Sequence, residues 1–226
     1  MNTKIKLSIV LATGMYLFTS CNNDKATTNS EKMDTTKMTD MKNDSMDKKM
    51  DMDGMNMDNE LMGSMNTMMD KMSGMKMSGD FDLDFATMMI EHHQGAIDMS
   101  NIEIAKGTDE KIKGMAQNIF TSQTEEIGML RGIIKNFKAS GMKHGEGSLQ
   151  KIHSEMKAAT SGMQMTGSTD KDYATMMVTH HESAVKMFKA QLANGMNDKL
   201  KQMAKKGIAD QTKEIAEFKA WPAGNK

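Results

Sequence analysis

The sequence predicts an all-α fold: a four-helix bundle made of two repeated helical hairpins, preceded by a disordered Met-rich segment. Three observations predict it. The stretch Phe85 to Met99 recurs as Tyr173 to Met187 at a constant offset of 88 residues. Apolar residues in and beyond both copies fall at helical spacing. Strand signals are close to nil, with 1 Pro, 4% aromatics and no alternating β-branched run.

The repeat continues past its core. Ile112 matches Leu200, Met115 matches Met203, and Gln123-Thr124 matches Gln211-Thr212. Glu126-Ile127 matches Glu214-Ile215 in the same register. One insertion-free offset over such a span means two copies of one structural unit.

The elements follow in order. Asp80, Asp82 and Asp84 suit a helix N-terminus, where carboxylates meet unpaired N–H groups and the positive end of the helix dipole. The first long helix runs over 82–105 and stops at Lys106-Gly107. Thr108 or Asp109 caps a second, read to Lys138 through Ile112, Met115, Ile119, Ile127, Leu130 and Ile134. Residues 139–147 read as a loop, and 148–159 as a short helix with Leu149, Ile152, His153 and Met156 on one side. Thr169 is the expected cap of the third long helix, 170–193, ended by Asn194-Gly195. The fourth covers 197–220, and Pro222 prevents its continuation. Short connections make two antiparallel hairpins, neither of which buries its apolar face alone, so they pack together. The folded domain is read as 80–226.

Each copy carries a stripe of unusual chemistry. On a helix, Met88, Met89, His92, His93 and Met99 share one side, and so do Met176, Met177, His180, His181 and Met187. The bland reading makes Met a core filler and His a satisfied core residue. Two adjacent His, repeated in register and flanked by Met, favour metal ligation instead. Thioether and imidazole together suit Cu(I), with Cu(II) or Ag(I) as further candidates, far better than Mg or Ca. His92 and His180 sit at the stripe centres and are the expected principal ligands, with His93 and His181 at the edges. Glu126 and Glu214 are expected to hydrogen-bond a His or cap a helix.

The N-terminal part reads differently. Lys4 and Lys6 precede a short apolar run, Leu7 to Phe18, too short to span a bilayer comfortably at about 20 residues. Residues 1–20 are the expected signal peptide. Leu17-Phe-Thr-Ser-Cys21 resembles a bacterial lipoprotein lipobox, which implies lipidation at Cys21 and a membrane link through that lipid alone. Cys21 is the only Cys, so the folded part has no disulfide and no thiolate site. Residues 21–79 are rich in Asp, Lys, Asn, Ser and Thr, and hold 15 of the 31 Met between Met33 and Met77. With so little apolar surface this segment reads as a disordered tether. Its Met50-x-Met52, Met55-x-Met57 and Met75-x-Met77 pairs suit capture of a soft cation.

The doubled Met-Met-Ile-x-His-His-x-x-Ala-Ile-x-Met motif and the matched Gln-Thr-x-Glu-Ile segments resemble a bacterial secreted family, domain of unknown function 305. The resemblance covers about 80–219. It implies a ferritin-like bundle and, for some members, copper or silver binding in the periplasm.

The expected function is therefore an envelope protein, periplasmic or outer-membrane, that sequesters copper or hands it to a partner protein and so contributes to metal tolerance. It is not expected to be an enzyme. The alternatives are a di-iron carboxylate oxidase and a metal-free structural or adaptor bundle. The oxidase needs Glu-x-x-His on two helices, but Met89 and Met177 stand three residues before His92 and His180. A net charge of −1 and the lack of a basic patch with aromatics point away from nucleic acid.

Overall fold

The computed structural model describes residues 58–139, 145 and 147–222. Six helices form, and no strand occurs among the described residues. They are α1 (Asp58–Ser73), α2 (Phe81–Lys106), α3 (Glu110–Lys135), α4 (Ser148–Thr160), α5 (Thr169–Asn194) and α6 (Asp198–Ala220). The expected hairpins are α2–α3 and α5–α6. They pack through α2 and α5, while α1 lies on α2 and α4 on α5.

The segment read as a disordered tether needs correction. Residues 21–57, with Cys21 and the first two Met-x-Met pairs, lie outside the described residues, as does the signal-like stretch. Residues 58–73 form a helix. Leu61, Met65, Met68, Met69 and Met72 recur at helical spacing and are almost completely buried. Met is an apolar residue with a good helix propensity, so this stripe supplies the burial that the polar composition hides. Met75 and Met77 are partly buried against the same core rather than free on a tether. Met68 lies so close to Gly95 of α2 that a side chain there would meet its sulfur.

The repeat is thereby longer than its motif. At the same offset, Leu61 matches Leu149, Met68 matches Met156, and Met75-x-Met77 matches Met163-x-Met165. α4 is the counterpart of α1, and the unit is three helices, made twice. The chain turns into α2 and into α5 by the same device. Asp84 accepts bonds from Ser78 and from the Gly79 N–H, and Asp172 accepts them from Thr166 and the Gly167 N–H. Gly79 and Gly167 have φ of 86° and 82°, a region that costs other residues steric strain.

The caps follow the sequence closely. Asp80, Asp109 and Asn197 each accept two backbone N–H bonds at the starts of α2, α3 and α6. At α5 the cap is Ser168, not Thr169, which is the first helical residue. α3 ends at Lys135, one turn earlier than expected.

α2 and α5 run antiparallel. In order along α2, Asp82 meets Gln191, Phe85 meets Phe188, His92 meets His180, and Ser100 meets Tyr173. The pseudo-two-fold axis passes near the His pairs. Its two sides differ: one has a Phe85–Phe188 ring pair, the other a 2.8 Å hydrogen bond between Ser100 and the Tyr173 hydroxyl. No helix among the described residues is long and apolar enough to cross a membrane.

Candidate metal centre

The middle of α2 carries His92 and His93, and the middle of α5 carries His180 and His181. All four are fully buried. The His92 and His180 rings face each other with centroids 3.8 Å apart. Within the pairs, centroids are 6.4 Å apart for His92 and His93, and 5.8 Å for His180 and His181. Phe188 stands edge-on to His93, and Phe218 to His181.

The hydrogen bonds fix which nitrogen is free. His93 Nε2 lies 2.8 Å from Glu126 Oε2, and His181 Nε2 lies 2.8 Å from Glu214 Oε2. The His181 contact is poorly aligned for a hydrogen bond. His180 Nε2 donates to the His92 carbonyl oxygen at 2.9 Å. The Nδ1 atoms of His93, His180 and His181 have no hydrogen-bond partner, nor has either nitrogen of His92. A neutral imidazole has one N–H and one lone pair. A donor at Nε2 therefore leaves a lone pair at Nδ1, and a second N–H there would be buried without an acceptor, which costs about 1–3 kcal/mol. For His180, whose Nε2–H goes to a backbone carbonyl, this leaves the Nδ1 lone pair free, the form a metal requires, and the Glu126 carboxylate orients His93.

The electrostatics agree. Burial, and then the neighbouring His180, His93, His181 and His153, hold His92 well below the usual 6.5. Burial and His181 hold His180 well below it too, partly opposed by its bond to the His92 carbonyl.

The expected ligands are brought together unequally. Met88, Met89, Met176 and Met177 each precede one of the four His by one helical turn and are at most 1% exposed. Met99 and Met187, equally buried, lie seven residues beyond His92 and His180, about 10 Å along the axis. At that distance each lies in a different packing layer from the His of its own helix. No three His, Cys, Asp or Glu among the described residues are placed so as to hold a metal ion by themselves. The buried thioethers of Met88, Met89, Met176 and Met177 are the other soft donors within one turn of the His pairs on these two helices. Glu126 and Glu214 each serve a His, one of the two roles expected of them. His153 is bonded to Ser73 at 2.8 Å and joins α4 to α1, and His144 lies outside the described residues.

A second set of polar residues escaped the sequence reading. Asp82 of α2 accepts from the Gln191 side chain and from the backbone N–H of Met196 and Asn197. Its repeat counterpart, Asp170 of α5, accepts from the Thr108 and Asp109 N–H groups and the Thr108 hydroxyl. Where the first arrangement has Gln191, the second has Glu103, fully buried. Burial first, then the bond and charge of Asp170, raise Glu103 to about 8. Protonated, Glu103 would offer Asp170 the hydrogen bond that the Gln191 amide gives Asp82. Gly107 and Gly195 leave room for these side chains, and a side chain at either would meet them. The 88-residue offset, applied to Asp82 and Gln191, was the available signal.

The fold and site define a class: an all-α repeat protein with paired, buried imidazoles in a Met-rich core. The profile of the family described as "Domain of unknown function (DUF305)" matches residues 19–134 and 82–222, and the chain belongs to that family. A crystal structure of a putative secreted DUF305 protein from Streptomyces coelicolor is similar in fold, with TM-score 0.51 at 23% identity over 63% of this chain and 91% of that one. A DUF305 fragment from Deinococcus radiodurans matches with TM-score 0.46 at 16% identity, over 62% of this chain and 93% of that one. CopM in its Cu(II)-bound form matches with TM-score 0.47 at 27% identity, over 62% and 94%. No curated protein matches the chain.

Proposed function

We propose that the protein binds copper outside the cytoplasm and sequesters it or hands it to a partner protein, without catalysing a reaction. The preferred ion is Cu(I), with Ag(I) as its chemical analogue. One observation carries the reading: four fully buried imidazoles, each with at least one nitrogen that no protein group satisfies, in a core rich in buried thioethers. Unpartnered buried polar atoms are rare and need an explanation. Neutral nitrogen and thioether donors in a dry site favour a soft monovalent ion, because a hard dication would keep its water. The charged start at Lys4 and Lys6, the Leu7–Phe18 run and Cys21 support export and a lipid anchor.

The test is competition with a Cu(I) chelator on the full chain at pH 7, repeated with Ag(I), Zn(II) and Fe(II). Tight Cu(I) and Ag(I) binding is expected, lost in the pair His92→Ala and His180→Ala, with Zn(II) at least 100-fold weaker. Tight Zn(II) or Fe(II) binding that Cu(I) does not displace would overturn the reading and favour a di-iron centre.

A further inference from the structure

His153 of α4 is the fifth imidazole among the described residues, and the centre between α2 and α5 does not use it. It is 8% exposed. Its Nε2 lies 2.8 Å from the Ser73 hydroxyl at the end of α1, and its Nδ1 is buried with no hydrogen-bond partner. A neutral ring has one N–H and one lone pair, whichever atom of the Ser73 contact donates. With the N–H at Nε2, a bare lone pair is buried at Nδ1. With the N–H at Nδ1, a donor is stranded there, the rarer fault in folded proteins. Either way a buried polar atom is left to be explained.

The internal repeat sharpens the point. At the offset of 88 residues His153 matches Met65 of α1, which is fully buried. On either side the two helices agree, Leu61 with Leu149 and Met68 with Met156. Packing gives no reason to exchange a buried thioether for an imidazole, because a buried polar group costs free energy unless something bonds it. Thioether and neutral imidazole share one property, a lone pair that suits a soft ion.

Other soft donors flank the contact. On α1, Met72 directly precedes Ser73 and Met69 lies one turn before it. On α4, Met156 lies one turn beyond His153, on the same helix face. Met69, Met72 and Met156 are 3%, 2% and 3% exposed and belong to one buried cluster. Ser73 is exposed, so the His153 ring reaches from the surface into this cluster.

We propose that His153 and these thioethers form a second soft-cation site, between α1 and α4. His153 Nδ1 is the nitrogen ligand, Ser73 holds the ring through Nε2, and Met69, Met72 and Met156 supply sulfur. The ion is Ag(I) or Cu(I), since one neutral nitrogen with thioethers is a poor set for Zn(II). The site shares no residue with the four imidazoles of α2 and α5. It stands whether or not they bind copper.

Ag(I) is the probe, added to the full chain with nitrogen-15 histidine and followed by long-range proton–nitrogen NMR of the rings. The His153 Nδ1 resonance is expected to move into the range of a metal-bound nitrogen, with Nε2 staying in the N–H range. The same movement is expected in the pair His92→Ala with His180→Ala. In competition with a Ag(I) chelator, His153→Leu should bind one ion fewer than wild type. His153→Met should keep the wild-type count, because it installs the thioether that α1 carries at the matching place. The pair Met69→Leu with Met72→Leu keeps side-chain volume and should hold this ion at least tenfold more weakly. An Nδ1 resonance that Ag(I) leaves in place would overturn the site, as would equal counts in wild type and His153→Leu. Movement that disappears in the His92 and His180 pair would make His153 a ligand of the central ion instead, and unchanged affinity in the Met pair would remove the sulfur ligands. If a variant does not fold, the wild-type Nδ1 resonance decides.

Discussion

His180 donates its Nε2–H to the carbonyl oxygen of His92, 2.9 Å away, and no bond returns from the His92 ring. The two residues are repeat counterparts, yet one imidazole is anchored and the other has both nitrogens unpartnered. In the metal-free protein His92 is therefore the more costly of the two. We expect His92→Leu to raise the stability of the metal-free protein by about 1–3 kcal/mol, because it removes two unsatisfied buried atoms. His180→Leu should gain less, since it also loses a made bond. Both should lose Cu(I) affinity. Urea unfolding of metal-free protein, set beside Cu(I) competition, checks the two arms, and a His92→Leu protein less stable than wild type would contradict them.

Glu126 and Glu214 hold the Nε2 side of His93 and His181. Replacing both by Leu removes the acceptors and frees the imidazole orientation. Loss of such outer partners lowers metal affinity about 10–100-fold. Cu(I) competition on the double variant is the check, with circular dichroism to confirm the helices. The same affinity as wild type would show that these His are not ligands.

pH acts on stability from both sides. His92 and His180 have folded pKa values well below the 6.5 of the open chain, chiefly through burial. As pH falls below about 6.5 the unfolded chain takes up protons that the native state refuses, so stability falls. Glu103 has the opposite sign, its folded value being raised to about 8 from 4.5, chiefly by burial. Between those values the native state holds a proton that the unfolded chain has lost, so stability falls as pH rises toward 8 and is flat beyond. Metal-free protein should be most stable on the acid side of neutrality. Unfolding midpoints from pH 4 to pH 10 map the curve.

Glu103→Gln isolates the alkaline limb. It turns the Glu103–Asp170 pair into a copy of the Gln191–Asp82 pair. The variant should lose the decline between pH 5 and pH 8 and exceed wild type above pH 8, by about 5 kcal/mol at most. A variant less stable than wild type at pH 9 would mean that Glu103 is held ionised.

α1 belongs to the folded unit. Leu61→Ala or Met65→Ala should each cost about 2–5 kcal/mol, as for other buried truncations of this size. Deleting 22–57 should leave the thermal transition of the helices nearly unchanged, whereas deleting 22–78 removes α1 and should lower it. Thermal circular dichroism of the two deletions separates them, and equal transitions would show that α1 contributes nothing.

The sequence by itself determined the all-α class, the four long helices and their hairpin pairing. Helical periodicity, caps such as Asp109 and Asn197, and an exact internal repeat are local signals, readable without knowing what packs on what. The repeat also singled out His92, His93, His180 and His181, because one structural unit built twice shows what it keeps. Only the tertiary structure decided what those residues do with their nitrogens. That Nδ1 is the free nitrogen of His93 and of His180 follows from Glu126 and the His92 carbonyl, which reach the rings from other helices. It likewise decided the fate of Met62 to Met77. Met is both a ligand and a core residue, and the stripe through Met65 and Met72 becomes a buried helix only because α2 offers Gly95 and an apolar face to cover it. Burial is a property of the partner surface as much as of the segment, and no local pattern contains it.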